Sequence, residues 1–158
     1  MAQIARVLFA VFFVAAAASA QPLTTDEREH LLLHLETTRH DFLVSVDGLT
    51  DGQWNYRPAE GKWTIAEVAE HVVAAEALLR GLIEGLMKEP ATAAMLEGAR
   101  RDGSILRVST DRSQRIQAAE PLHPTNRYGS PAATLDEFRR ERAETIRIVR
   151  NGGDLRAY

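Results

Sequence analysis

Apolar residues recur every three to four positions in three long segments of the chain, a spacing typical of amphipathic α-helices. The segments cover about residues 25 to 46, 65 to 87 and 135 to 150. No segment of useful length shows the strict alternation of apolar and polar residues that indicates a β-strand. The pattern therefore predicts an all-α fold.

Each predicted helix begins with a threonine that is followed three residues later by a glutamate, the sequence of a capping box. The pairs are Thr24 with Glu27, Thr64 with Glu67, and Thr134 with Glu137. Between the long helices we predict a short helical turn at residues 50 to 55 and another short helix at residues 104 to 108. Residues 110 to 133 contain three prolines and are predicted to form a long loop.

The second long helix has two apolar stripes, which indicates that it contacts two neighbouring helices, as in a bundle. The main stripe comprises Ile65, Val68, Ala69, Val72, Glu76, Leu79, Ile83 and Leu86. The flank stripe lies to one side of it and comprises His71, Ala75, Leu78 and Leu82. Glu76 is the charged member of the main stripe, and a charge on an apolar face is an anomaly that needs a partner.

Residues 1 to 20 have the composition of a secretory signal peptide. Arg6 precedes an apolar run, and Ala18-Ser19-Ala20 is a cleavage signal. The run is shorter than the about 20 apolar residues that a transmembrane helix requires. We therefore predict a secreted or periplasmic protein with a mature domain of residues 21–158 and no stable membrane span after cleavage. The alternative is an uncleaved N-terminal anchor.

The composition excludes several classes of partner and site. The formal net charge is −3 and no long basic run occurs, which argues against nucleic-acid binding. The chain has no cysteine, so neither disulfides nor a Cys–His pair can form. The motifs of serine nucleophiles and of glycine-rich nucleotide-binding loops are also absent from the sequence. The candidate chemistry is therefore concentrated in five histidines.

His71 is the best functional candidate, because it lies on the flank stripe of a helix whose start is well defined. Its side chain is placed to bind a metal or to act as a base. The alternatives are a core histidine with a local hydrogen bond and a partly exposed one. Glu67, one turn earlier, is placed to orient the imidazole as carboxylates do at metal sites. Its capping role explains Glu67 without that function.

The other histidines are weaker candidates. His30 and His34 have the i, i+4 spacing that places two imidazoles side by side for a metal, but both fall off the apolar face and are expected to be exposed. If the first two long helices are antiparallel, His71 is level with His40. His30 then lies roughly 14 Å further along the axis, at about 1.5 Å per residue. His123 lies in the predicted loop and is expected at the surface.

Two tryptophans and a tyrosine occur close together in the connection between the first two long helices. They are Trp54, Tyr56 and Trp63. Large aromatic side chains usually stabilise a core by burial, so we predict that these three form an aromatic cluster where the connection packs on the bundle.

A set of short motifs surrounds the start of the second long helix. It consists of Leu49-Thr50, Gln53-Trp54, Arg57-Pro58, and residues 61 to 67 followed by His71. With Thr24, Asp26-Glu27-Arg28 and Asp111-Arg112-Ser113, these motifs resemble the DinB-like superfamily over most of the mature chain. The most specific part is the pattern W-T-x-x-E-x-x-x-H, which ends at His71.

The resemblance implies a four-helix bundle with up-down-down-up connection order. It also implies a divalent metal, nickel or zinc in character, that is bound by three histidines. His71 matches one of these ligands, and the other two come from an H-x-x-x-H pair on the fourth helix. No histidine follows His123 before the sequence ends at Tyr158. We therefore expect a domain that lacks its C-terminal helix and has an incomplete metal site.

Two functions are compatible with this resemblance. The first is a metal-dependent hydrolase or thiol-transferase-type enzyme for an unidentified small-molecule substrate, inactive as the isolated chain. The second is a non-catalytic exported helical module, or degenerate paralogue, that binds a partner. Without a fourth helix the flank stripe has no cover, so we also expect the chain to form homodimers or to be only partly folded.

Overall fold

The computed structural model describes residues 22–90, 92, 111, 113 and 116–157. A long helix α1 (Thr25–Val46) is followed by a short helix α2 (Asp51–Trp54), and then by two long helices, α3 (Ile65–Leu86) and α4 (Pro131–Asn151). Two 3₁₀ turns cover Glu120–Leu122 and Leu155–Ala157. Every regular element of the described residues is helical, which confirms the predicted all-α class.

Some predictions fall outside the described residues. These are the signal peptide at residues 1 to 20 and the short helix at residues 104 to 108. In the part of the chain that the structure describes, no helix has both the length and the apolar character of a membrane span.

The starts of α1 and α3 are fixed by the predicted capping boxes. The hydroxyl of Thr24 accepts the backbone N–H of Glu27 at 3.2 Å, and the Glu27 carboxylate accepts the N–H of Thr24 at 2.9 Å. The corresponding distances between Thr64 and Glu67 are 3.1 and 2.7 Å. A box that we did not predict, Thr50 with Gln53, starts α2 in the same way.

The prediction for the start of α4 is wrong by four residues. Ser130, not Thr134, is the N-cap, and its hydroxyl accepts the N–H of Ala133 at 3.2 Å. Pro131 occupies the first helical position, where its missing N–H costs nothing and its fixed φ suits a helix. Thr134 therefore lies inside the helix, where its hydroxyl donates to the Ser130 carbonyl at 2.9 Å. The predicted capping box of Thr134 with Glu137 does not form.

α4 is the central helix of the described part, because it contacts both α1 and α3. Near the end of α1, Phe42 packs on Phe138 in the first half of α4, with ring centroids 4.3 Å apart. Near the start of α1, the Arg28 guanidinium donates to the carbonyl of Val149 near the end of α4. α1 is therefore antiparallel to α4.

α3 runs parallel to α4. Ala69, in the first half of α3, shares a core cluster with Leu135 near the start of α4. Further along both helices, Glu76 pairs with Arg142 at 2.6 Å. The long helices thus run up, down and down, the order that the resemblance implies for the first three helices. That a C-terminal helix is missing stays a prediction.

The buried core is small, and the predicted aromatic cluster is wrong for two of its three members. Trp54 is buried and packs with Val46 and Ala69. Tyr56 and Trp63 are 66% and 36% exposed. The connection before α3 lies on the surface at these two residues, so only Trp54 contributes to the core.

The buried residues of α3 are mostly not those of the main stripe. The buried residues of α3 are Ala69, Glu70, Val73 and Ala74, and only Ala69 belongs to the main stripe. The larger residues of the main and flank stripes stay exposed, namely Ile65, Val68, Leu78, Leu79, Leu82, Ile83 and Leu86.

Three of these exposed residues, Leu79, Ile83 and Leu86, border a groove, here called the α3 groove. Its volume is about 540 Å³. Leu35 of α1 contributes to one wall, α3 forms the other, and Ile148 and Val149 of α4 lie between them. His71 lines this groove as well, so the best functional candidate of the sequence lies beside an uncovered apolar surface of α3.

Candidate functional site

His71 lies two turns into α3 and is half-buried against the loop that precedes α4. Its Nδ1 atom is 3.0 Å from the carbonyl oxygen of Leu122. Because a carbonyl oxygen only accepts, Nδ1 carries the proton and Nε2 of the neutral ring keeps a free lone pair. Histidines that bind metals usually donate their other N–H to a carbonyl or carboxylate in this way.

The imidazole of His71 borders two hollows. One is the α3 groove. The other, of about 780 Å³, is bordered by Lys62, Trp63, Leu122 and residues 116 to 119. The Trp63 ring packs beside the imidazole, with centroids 5.1 Å apart and planes tilted by 54°. Both hollows therefore contain apolar side chains as well as the imidazole.

The loop that contacts His71 is held by the neighbouring residue, Glu70. One carboxylate oxygen accepts the N–H of Thr125 at 2.6 Å and the Arg127 Nε–H at 2.8 Å, and the other accepts the N–H of Asn126 at 2.8 Å. Burial acts to raise the pKa of Glu70, but these hydrogen bonds outweigh it and hold the pKa below its usual 4.5. The carboxylate is therefore charged at neutral pH.

Glu67 has the capping role and does not orient His71. One of its oxygens closes the capping box with Thr64, and the other accepts a hydrogen bond from Arg57 at 2.7 Å. The Arg57 guanidinium holds the pKa of Glu67 below its usual 4.5. Arg57 also donates to the carbonyl of Lys62, so it fixes the connection to the start of α3. The orienting group of His71 is the Leu122 carbonyl.

The other histidines do not join His71. His30, His34 and His40 are exposed on α1, and His123 is exposed with its Nε2 2.9 Å from the carbonyl of Ala118. No group of three His, Cys, Asp or Glu side chains that could hold a metal ion occurs among the described residues. Since a catalytic zinc site usually has three protein ligands, His71 fits one ligand position, but the described residues do not fit a complete site.

The anomalous charge of Glu76 is explained by a buried ion pair at the edge of the α3 groove. Glu76 Oε1 lies 2.6 Å from Arg142 Nε, while Oε2 is buried without a hydrogen-bond partner. Arg142 also donates to the carbonyl of Leu35 and the hydroxyl of Thr38, each at 2.8 Å. Its guanidinium lies 5.2 Å from the Phe138 ring centroid. One side chain thus links all three long helices.

A polar hollow of about 500 Å³, which Glu70 also lines, lies between the starts of α3 and α4. The capping oxygens of Thr64 and Ser130 in this hollow already accept hydrogen bonds. Burial raises the pKa of Tyr128, which also lines it. Because His71 does not line this hollow, we place the candidate site at His71 instead.

Three residues of the site were missed from the sequence. Leu122 acts through its backbone carbonyl, and no side-chain pattern reveals such a role. One signal in the sequence could have pointed to Glu70 and Arg127. Glu70 lies between buried Ala69 and His71, and a charge at such a position needs a partner from another segment. The pattern of a single helix does not identify that partner.

A comparison with protein-family models matches the DinB superfamily over residues 34–157. The matched region includes α2, α3, α4, most of α1, and the motif from Trp63 to His71. Searches of curated proteins and of solved structures found no match. Because the family match covers well over half of the sequence, the chain belongs to the DinB superfamily.

Proposed function

We propose that His71 supplies one ligand, its Nε2 atom, to a divalent metal ion such as nickel or zinc. The observation that supports this is the hydrogen bond from Nδ1 to the Leu122 carbonyl, which leaves Nε2 free. The resemblance suggests that the resulting enzyme is a hydrolase or a thiol transferase for a small-molecule substrate. We further propose that it is exported to the periplasm or the cell exterior.

The proposed enzyme needs more ligands than the described residues bring together. One imidazole does not hold zinc or nickel firmly, because such catalytic sites typically use three protein ligands. We therefore propose that one isolated chain is inactive as a hydrolase or transferase. Activity would depend on ligands that join His71 from outside the described residues.

Titration with nickel or zinc alone tests the role of His71. We expect wild-type protein to bind the ion more tightly than His71→Ala, by isothermal titration calorimetry. His40→Ala is the matched control, because it removes an exposed histidine from α1 that has no second histidine one turn away, and it should bind as wild type does. Equal binding by wild type and His71→Ala would contradict the proposal.

A second candidate function is a non-catalytic exported module that binds another copy of itself. The exposed apolar surface of α3 favours it, since Leu79 is 60% and Leu82 is 56% exposed. Large apolar patches on a soluble protein usually mark an interaction site. The same α3 surface from two chains can pair around a two-fold axis, as in most homodimers.

Light scattering distinguishes this candidate from a monomeric enzyme. We expect a wild-type dimer and a monomeric Leu79→Glu variant, because Leu79 is exposed and lines the α3 groove. Leu33→Glu places the same charge on an exposed leucine of α1 and should leave the dimer intact. A compact wild-type monomer contradicts self-association, and substrate turnover by the isolated chain contradicts a non-catalytic role.

Export is tested by mass spectrometry, where a mature N-terminus at Gln21 is expected.

A further inference from the structure

Two adjacent residues of α3 hold the same loop from different directions. His71 donates from Nδ1 to the Leu122 carbonyl. Glu70 accepts the N–H groups of Thr125 and Asn126, three and four residues further along the loop. Neighbouring residues of a helix point about 100° apart, so the two side chains reach the loop on different faces of α3.

Arg127 connects Glu70 to the peptide groups on both sides of Leu122. Its Nε donates to Glu70 at 2.8 Å. Its Nη2 donates to the carbonyl of His123 at 2.7 Å, and both terminal nitrogens lie 3.3 Å from the carbonyl of Pro121. One guanidinium group therefore fixes the carbonyls before and after Leu122 relative to α3.

Few apolar side chains of the loop are buried deeply enough to fix its position relative to α3 by packing. None of residues 116 to 130 is fully buried. The half-buried members are Ala118, Leu122, Pro124 and Tyr128. In contrast, the Glu70 side chain is only 7% exposed, and both of its oxygens bind the loop. Most hydrogen bonds between the loop and α3 therefore end on Glu70, and Arg127 extends this link to the peptide groups around the Leu122 carbonyl.

We infer that Glu70 and Arg127 are positioning residues that hold the Leu122 carbonyl against His71 and so keep Nδ1 protonated and Nε2 free. A neutral imidazole carries its proton on either nitrogen, and the partner of one nitrogen decides which. An Nε2 that carries the proton has no lone pair for an ion. The inference rests on the proposed function for its purpose, since a free Nε2 is what a metal ligand needs.

Nuclear magnetic resonance of the full chain with ¹⁵N-labelled histidine tests the inference, at a pH where His71 is neutral. We expect the Nδ1–H tautomer in wild type and a shift toward Nε2–H in Glu70→Gln, whose amide nitrogen cannot accept the loop N–H groups. Arg127→Gln leaves Glu70 itself in place and is the second variant. Glu120→Gln makes the same change on an exposed residue of the 3₁₀ turn and is the matched control.

A tautomer shift in Glu70→Gln, with a wild-type spectrum for Glu120→Gln, supports the inference. If Glu70→Gln does not fold, Arg127→Gln decides it. The inference is overturned by a wild-type tautomer in the folded variants, by the same shift in Glu120→Gln, or by a wild-type protein protonated on Nε2.

Nickel titration of the same samples separates the inference from the proposed function. If both hold, affinity falls about 10–100-fold in Glu70→Gln, the usual effect of losing an outer partner. A tautomer shift in a protein that binds no metal contradicts the proposed function and still supports the positioning role. Metal binding that depends on His71, with no tautomer shift in the variants, supports the proposed function and contradicts the positioning role.

Discussion

At the scale of single residues, the Arg142 side chain joins all three long helices. It contacts Glu76 of α3, Leu35 and Thr38 of α1, and the ring of Phe138. Its side chain and that of Glu76 are only 12% and 10% exposed. A buried pair of this kind holds elements in one arrangement, but its net stabilisation is small because both charges lose their hydration.

Removal of one partner should therefore cost far more than removal of both. We expect Arg142→Ala to lower the free energy of unfolding by about 3–5 kcal/mol, because it leaves the Glu76 carboxylate buried and unpaired. The double variant Arg142→Met with Glu76→Leu should recover most of that loss. Urea denaturation measures both. Arg139→Ala, which breaks an exposed pair with Asp136, is the control and should change stability by about 0–1 kcal/mol.

At the scale of helices, the sequence predicted bounds better than contacts. The starts of α1 and α3 were found because a capping box lies within four consecutive residues. The start of α4 was missed because Ser130 and Thr134 are both acceptable caps, and Pro131 decides between them. The buried residues of α3 were mostly missed because apolar periodicity shows which side is apolar, not which neighbour covers it.

For the candidate site as well, the sequence predicted the residue and its helix but not its contacts. The motif that ends in His71 lies on one helix, so the residue and its helix could be identified from sequence. Its Leu122 partner comes from a loop 51 positions away and is brought there by Glu70 and Arg127. A contact of that kind depends on tertiary structure, and no local pattern contains it.

The position of the α4 cap can be tested by two substitutions. Ser130→Ala should lower the free energy of unfolding by about 0.5–2 kcal/mol, the usual effect of losing an N-cap. Thr134→Val keeps the volume of a buried side chain and removes only a bond to the carbonyl four residues earlier, so it should cost clearly less. Thermal or urea unfolding measures both losses of free energy. A larger loss in Thr134→Val than in Ser130→Ala would contradict Ser130 as the N-cap of α4.

The start of α3 should also be sensitive to acid. The pKa of Glu67 is lowered by Arg57 and by the cap, so its stabilising effect is complete above the unfolded value of about 4.5 and is lost as pH falls through the folded value. We expect the melting temperature to fall below about pH 4.5 in wild type and to fall less in Glu67→Gln. Glu60→Gln, in the exposed connection before α3, should behave as wild type.

At the scale of the whole molecule, the described helices leave one side of the bundle open. α4 contacts both α1 and α3, which leaves the α3 groove between the two outer helices without a cover among the described residues. The buried pair of Glu76 and Arg142 lines this groove together with apolar side chains. Covering the groove would therefore both bury leucines and shield a charged pair from water.

If a second copy covers the groove, folding and association are coupled, and stability must depend on concentration. We expect the melting temperature of wild type to rise with protein concentration, because mass action favours the dimer. Leu79→Glu should melt at one temperature at all concentrations, since a charge at this exposed position of the groove blocks burial. Leu33→Glu should keep the wild-type dependence, because Leu33 is not among the residues that line the groove. A wild-type melting temperature that is constant over a hundredfold range of concentration (about 3 kcal/mol of mass action) would show that the groove of the folded monomer is stable without a second copy.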